Sequence, residues 1–323
     1  MTATASLLAI SVGERFLQTT AKSLALGSIY ALVALGFVLV FKSTQTVNFA
    51  QGAIGVAGAW FTSMLLIDWE IPGRWFGGRW VTWIVGVLLG AGLAAVLGLV
   101  IERTVIRRMI GEPLFSVAVI TLGVEVIIRT IATDAVTVNS RSLAFPWTLA
   151  DGWRFGEAFV PRGYVIAIIA TALAFVAIAL FFRTRLGIAM RAVAYDQEAA
   201  MAQGISVGKV FAVAWAASAA LASIAGVLWS AAPLGPGAVS IGITGLAFRA
   251  LPAVILGGLD SVNGALVGGL VIGGAEVYSG EYLSQYTTTL GVGFQLIVPY
   301  IVMLIVLLVR PYGLWGTPEI RRV

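Results

Sequence analysis

Glu198-Ala199-Ala200 is followed by Gly204 after three residues, within a short polar island between two long apolar segments. These residue types suit recognition and are not set up for bond breaking. Glu198 supplies a charge, Ala199 and Ala200 permit close approach, and Gly204 stops the helix, so a partner groove can grip the segment. An ordinary amphipathic loop helix on a membrane surface has the same composition. The remaining chemistry-bearing residues lie inside apolar runs, where polar groups are costly and mark candidate pathways. Ser28 and Tyr30 fall in the first run, and Asn48 and Gln51 open the second. Asn48 and Gln51, three apart on one helical face, can hydrogen-bond a zwitterionic substrate or a neighbouring helix. Glu125 and Arg129, four apart with the acid first, suit a mutual ion pair, with substrate contact as the alternative. Arg249 and Glu276 can pair across two helices, or Arg249 can face a substrate carboxylate.

The chain contains no His and no Cys. Disulfides, thiol chemistry, Cys/His zinc sites and His-based triads or proton shuttles are therefore excluded. The acids are scattered, and no Gly-x4-Gly-Lys-Ser/Thr run occurs to cradle a nucleotide phosphate. The expectation is a protein without catalytic residues, metal or cofactor. The net charge of +5 carries no basic face interleaved with aromatics, which argues against a nucleic-acid partner.

The elements that must position these residues are membrane helices. The chain is 59% hydrophobic and 11% charged, whereas soluble domains carry roughly a quarter charged residues. Apolar windows fall near 24–41, 47–67, 81–101, 114–132, 163–182, 210–230 and 290–309, and several approach the roughly 20 residues that cross a bilayer core. A membrane barrel would show short alternating segments instead. The reading is an all-α, polytopic transmembrane bundle of about eight membrane segments, one domain over 1–323. Segment 183–209 lies on the cytoplasmic side, and the longest loop, 133–162, forms a small extracytoplasmic cap.

Orientation follows from the basic residues. Lys42, Arg103, Arg107, Arg108, Arg183, Arg185, Arg191, Lys209, Arg310, Arg321 and Arg322 gather on one set of ends, while basic residues on the other set are balanced by acids. This puts the island at 198–204 and the C-terminus inside and the N-terminus outside. Trp69, Trp75, Trp80, Trp147 and Trp153 then fall in outer segments, as interfacial anchors do. Met1-Thr2-Ala3-Thr4-Ala5 has no basic start, so a cleavable leader is not expected. The region 246–278 must start and finish on the outer face. It is expected to form two half-length helices, re-entrant or a short hairpin, meeting at a buried polar turn over 257–264 beside the pathway. Within it, Gly264-x3-Gly268 and Gly269-x3-Gly273 suit close helix packing.

The spacing of Glu198-Ala199-Ala200 and Gly204 resembles the cytoplasmic coupling motif of type I ABC importer permeases. Beyond it, most of the chain resembles the LivH-type permeases of branched-chain amino acid ABC importers. The carrying segments are Leu26 to Leu32, Val47-Asn48-Phe49-Ala50-Gln51-Gly52, Ile101-Glu102-Arg103, Arg191 to Ile205, Leu256-Gly257-Gly258, Gly264-Ala265, Gly274-Ala275-Glu276 and Arg310-Pro311-Tyr312-Gly313-Leu314. The resemblance implies a pore-forming subunit of a prokaryotic inner-membrane importer, working by alternating access. Its implied partners are a second homologous permease chain, two cytoplasmic ATPases docked on the 198–204 helices and an extracytoplasmic substrate-binding protein. Branched-chain amino acids suit an apolar passage; urea, amides or aromatic acids are alternatives. A stand-alone secondary transporter would carry similar broken helices and buried charges, but would leave the island without a purpose.

The family pattern is departed from at three places. Ala53 stands where an acid often follows the second-span motif, which bears on selectivity. Ala214 stands where the extended coupling consensus has Ile, which bears on packing. Asp260-Ser261 replaces a more neutral turn.

Overall fold

The computed structural model describes residues 11–109, 112–137, 141–286, 289 and 291–317. Met1–Ala5, Arg321 and Arg322 lie outside them. Helix α1 (Val12–Thr44) opens with a capping box, Ser11 accepting from the Glu14 amide while Glu14 reaches back to the Ser11 amide. It runs through the middle of the bundle, and Ile29 to Val40 are buried without interruption. A helix apolar on every side belongs in a core. Packed with it are α2 (Gln51–Ser63), which is itself almost wholly buried, the short α3 (Ile71–Trp75), α4 (Arg79–Thr104), α5 (Leu114–Thr137), α6 (Arg162–Phe181), α9 (Val207–Ser230), α10 (Ile243–Gly257), α11 (Val262–Tyr282) and α12 (Val298–Val309). Between α6 and α9 lie two short helices, α7 (Arg185–Tyr195) and α8 (Gln197–Ala202). Five of the helices, α1, α4, α5, α6 and α9, are long and apolar enough to cross a membrane.

Contacts between remote residues define two ends. At one end, the Glu157 amide donates to Glu14 and Arg15 pairs with Glu281 at 3.0 Å. At the other, Lys42, Arg191, Asp260, Tyr312 and Thr317 line one cavity of about 430 Å³. The island therefore shares an end with the C-terminal tail, opposite the start of α1.

The loop 133–162 carries a little β structure. Strand β1 (Arg141–Ser142) pairs antiparallel with β4 (Ala238–Val239), and β2 (Gly152–Phe155) with β3 (Ala158–Pro161). In its turn the Thr148 amide donates to Asp151 at 2.8 Å, which holds that carboxyl below the usual carboxylate range. Trp147 departs from its reading as an interfacial anchor. It is buried against Trp80 and Trp83, with ring centroids 5.7 and 5.0 Å away, and pins the loop to α4.

The two helices expected over 246–278 meet inside the expected turn, at Gly258–Ser261, but the turn's place in the bundle and the length of the second helix differ from the expectation. Helix α11 has 21 residues and passes through the bundle whole, so it is not half-length. The turn Gly258–Ser261 sits at the tail end and not at membrane depth. There Asp260 accepts from the Thr317 amide, and the Leu314 and Trp315 amides donate to the Leu256 and Gly257 carbonyls at 2.8 and 3.1 Å. The tail thus satisfies the free carbonyls that end α10. Gly258 (φ +103°) leaves no room for a side chain, because a Cβ would sit 2.5 Å from the Gly316 nitrogen.

Two other helices begin within the bundle. Helix α2 starts at Gln51 and α10 at Ile243, and their first turns touch: a Cβ on Gly52 would lie 2.3 Å from the Thr244 carbonyl oxygen. The non-helical stretches that reach these starts are 45–50 and 231–242. In the second, Pro233, Gly235, Pro236 and Gly237 stop α9 from continuing. In the first, Asn48 precedes α2 instead of sharing its face with Gln51.

Candidate functional site

Each end of α8 is closed by its own sequence. Asp196 caps the start, its Oδ1 accepting from the Ala199 amide at 2.9 Å. Gly204 (φ +78°) closes the finish, with the Gly204 amide bonded to the Met201 carbonyl and the Ile205 amide to the Ala200 carbonyl at 3.0 Å. Ala200 is buried and anchors the turn, while Glu198, Ala199 and Gly204 are exposed. Tyr195 is 91% exposed beside them and Met201 also stands free. The result is a pre-formed knob with an acid, small side chains and two large apolar groups, shaped for a groove. Directly after it, Arg107 donates to the Gly208 carbonyl at 3.1 Å and clasps Glu102, tying the start of α9 to the end of α4.

The second cluster joins α1, α10 and α11 between the two ends of the bundle. The Tyr30 hydroxyl of α1 donates to Glu276 of α11 at 2.5 Å, and Arg249 of α10 lies 3.5 Å from the same carboxylate. Arg249 and Glu276 thus pair across α10 and α11. Tyr30 and Glu276 are buried; the Arg249 side chain is 41% exposed. Helix α10 can host this arrangement because its one structural fault is repaired. Pro252 lacks the N–H that the Phe248 carbonyl would receive, and the Tyr300 hydroxyl of α12 donates to that carbonyl at 3.0 Å.

The third cluster surrounds the start of α2. The Asn48 side-chain amide donates to Gln51 Oε1 at 3.2 Å, Gln51 Nε2 donates to the Ser218 carbonyl at 3.3 Å, and the Ser218 hydroxyl lies 2.9 Å from both Gln51 Oε1 and the Gly36 carbonyl. Asn48 also accepts from the Ala50 amide, and Thr121 accepts from the Phe49 amide. Every one of these groups is spent on the backbone of the 45–50 entry or on a neighbouring helix, and Asn48 and Gln51 are 1% exposed. Ser28 is buried as well, its carbonyl accepting from Thr171. Glu125 and Arg129 pair with each other at 3.0 Å along α5. Ser218, Thr121 and Thr171 are part of this framework and carry no motif of their own in the sequence; single hydroxyls in apolar runs signal nothing without knowledge of their neighbours. Ala53 and Ala214 are fully buried in helix packing. Among the described residues no group of three or more acidic side chains could hold a metal ion.

The arrangement is that of a membrane bundle with an exposed grip at one end. The family described as branched-chain amino acid transport system, permease component, matches residues 19–307. The chain belongs to that family. Permeases of this family are transport subunits, so the chain is a membrane transport protein and not itself an enzyme. It is 31% identical over 318 residues to the high-affinity branched-chain amino acid transport system permease protein LivH of Escherichia coli (strain K12), covering 95% of this chain and 98% of that one. It is 29% identical over 322 residues to the permease protein BraD of Pseudomonas aeruginosa, with 95% and 98% covered. The fructose import permease protein FruF of Bifidobacterium longum is 27% identical over 258 residues, with 75% and 65% covered. No solved structure matches the chain.

Proposed function

We propose that this permease is one membrane-spanning half of an ATP-driven importer for branched-chain or related amino acids in a prokaryotic inner membrane. It works with a second homologous permease chain, two cytoplasmic ATPases and an extracytoplasmic binding protein that delivers substrate. The observation that carries the reading is the doubly capped, exposed helix α8 at the end where Lys42, Arg103, Arg107, Arg108, Arg183, Arg185, Arg191 and Lys209 gather. The excess of basic residues supports that end as the cytoplasmic one, with the tail inside and the start of α1 outside.

In this mechanism Glu198, Ala199, Ala200 and Gly204 form the ATPase grip. Closure of the ATPase dimer displaces α8, and the Arg107 clasp to Gly208 and Glu102 passes the displacement to α9 and α4 together. The spans then rearrange between outward and inward openings. The passage itself runs outside the core of this chain. Tyr30, Ser28, Asn48 and Gln51 are enclosed, and the cavity beside Gln51 and Ile243 measures about 10 Å³, which is at the lower limit for a single water.

The test is ATP-driven uptake of leucine, isoleucine and valine in membrane vesicles holding the whole transporter. Glu198→Ala and Gly204→Val are expected to abolish uptake while the protein remains inserted and recoverable. Unchanged uptake in both variants would overturn the coupling role, and uptake that needs no ATPase would promote a stand-alone transporter. Urea, amides and aromatic acids as competitors would set the substrate class.

A further inference from the structure

Arg249 occupies an unusual position for a cation. It lies eight residues from the end of α10, about 12 Å along the axis at 1.5 Å per residue, and so falls near the middle of a bilayer core of about 30 Å. Its ion pair is a single approach of 3.5 Å to Glu276, a carboxylate that already accepts from Tyr30. A guanidinium carries five N–H donors, and 41% of this side chain is exposed on the surface of the chain. Against lipid such a cation is costly. By contrast, Arg129 on α5 has its acid one turn away on the same helix at 3.0 Å.

The face around Arg249 is shaped for more than a counter-ion. Gly245 lies one turn before it, on the same side of α10, and a Cβ built there meets nothing within 4 Å. Phe248, between them in sequence, is exposed and offers an apolar wall. The three residues together present a cation, an open niche and a hydrophobic surface.

We propose that Arg249 receives the carboxylate of the transported amino acid, with its aliphatic side chain against Phe248, in the passage between this chain and the second permease. Glu276, held by Tyr30, is the resting counter-ion that keeps the guanidinium in place between passages. The inference rests on the importer reading and names the chemical group recognised within it.

The test uses the absence of cysteine from the chain, which makes Gly245→Cys a single reporter at a position with room for it. The whole membrane complex in vesicles, without its binding protein, is labelled with anionic sulfonatoethyl and cationic trimethylammonium-ethyl methanethiosulfonates. The anionic reagent is expected to react several-fold faster, relative to the reagents' rates with a free thiol. Adding Arg249→Gln should abolish the preference and Arg249→Lys should keep it. Millimolar 4-methylpentanoate should slow labelling, and isoamylamine, which lacks the carboxylate, should not. An unreactive thiol in the Gly245→Cys variant overturns the aqueous passage, and equal reagent rates or equal protection overturn carboxylate recognition. Should Arg249→Gln fail to assemble, the reagent preference and the protection pair in Gly245→Cys alone still decide. Leucine uptake by the parent transporter is measured alongside. Uptake without anion preference sinks the Arg249 site and leaves the importer reading standing, whereas anion preference without uptake does the reverse.

Discussion

Arg107 grips Glu102 through two parallel hydrogen bonds of 3.0 and 2.9 Å and, with the same guanidinium, donates to the Gly208 carbonyl. The two partners are unequally buried: Glu102 is 1% exposed and the Arg107 side chain 36%. Removing one is therefore not equivalent to removing the other. Arg107→Ala strands a buried carboxylate and should cost about 3–5 kcal/mol. Glu102→Gln leaves a half-exposed guanidinium that water reaches and keeps a hydrogen-bond acceptor, so about 1–2 kcal/mol is expected. Thermal unfolding of the purified chain in mild detergent should rank the two in that order. A larger loss for Glu102→Gln would mean that the pair is solvated and that the clasp to Gly208 is not held by charge.

The α1–α11 seam is set by glycine in the same quantitative way. A Cβ on Gly273 would sit 2.3 Å from the Gly27 Cα, backbone against backbone, with nothing flexible to yield. The next residue, Gly274, would meet only Ser23 Oγ at 3.4 Å. Gly273→Ala must push two helices apart and should lose about 1–3 kcal/mol. Gly274→Ala gains helix propensity of up to about 1 kcal/mol and should be neutral or mildly stabilising. Equal melting temperatures for the two variants would contradict the seam.

How much of this was readable beforehand depends on whether the cause is local. The Glu198–Gly204 helix is local: Asp196, an Ala-rich run and a glycine specify both caps, so its limits follow from the residues themselves. The glycine pairs were readable as packing, but only the fold shows that Gly264 and Gly268 meet α10 at Gly257 and Ala253, while Gly269 and Gly273 meet α1. The turn within 257–264 forms where its residues mark it, but not at the depth expected, because Gly257, Gly258 and Asp260 mark a turn equally well at either depth. What decides its depth is the remote tail, whose Leu314 and Trp315 amides take the α10 carbonyls. The entry at 45–50 was missed for the opposite reason. Its polar groups, Asn48 and Gln51, read as helix-face residues, and the partner that satisfies them, Ser218, lies far along the chain.

Gly204 offers a prediction independent of transport. Its φ of +78° costs an ordinary L-residue about 1–2 kcal/mol, and a Cβ there meets no neighbour, so the penalty is purely conformational. Gly204→Val should loosen the bond from the Ile205 amide to the Ala200 carbonyl, and Gly204→Asn, which tolerates this region, should loosen it less. Hydrogen exchange over 200–206 should quicken in the order Gly, Asn, Val. Identical exchange in all three would show that the cap does not depend on the left-handed residue.

The α2 entry can be tested by coupling two substitutions. A Cβ on Gly36 would fall 2.2 Å from Gln51 Nε2, which is the flexible end of its side chain but is fixed by its bond to the Ser218 carbonyl. Gly36→Ala should therefore destabilise by displacing Gln51 and breaking its bonds to Ser218. Gln51→Ala removes those bonds directly, at a cost of about 0.6–1.7 kcal/mol, that of a membrane-buried hydrogen bond, and also clears the obstacle. The double variant should then cost less than the sum of the singles, with a coupling of about 0.5–3 kcal/mol. Strict additivity in thermal unfolding would mean that Gln51 already leaves this position freely, and that 45–50 is held at membrane depth by Asn48 and Thr121 alone.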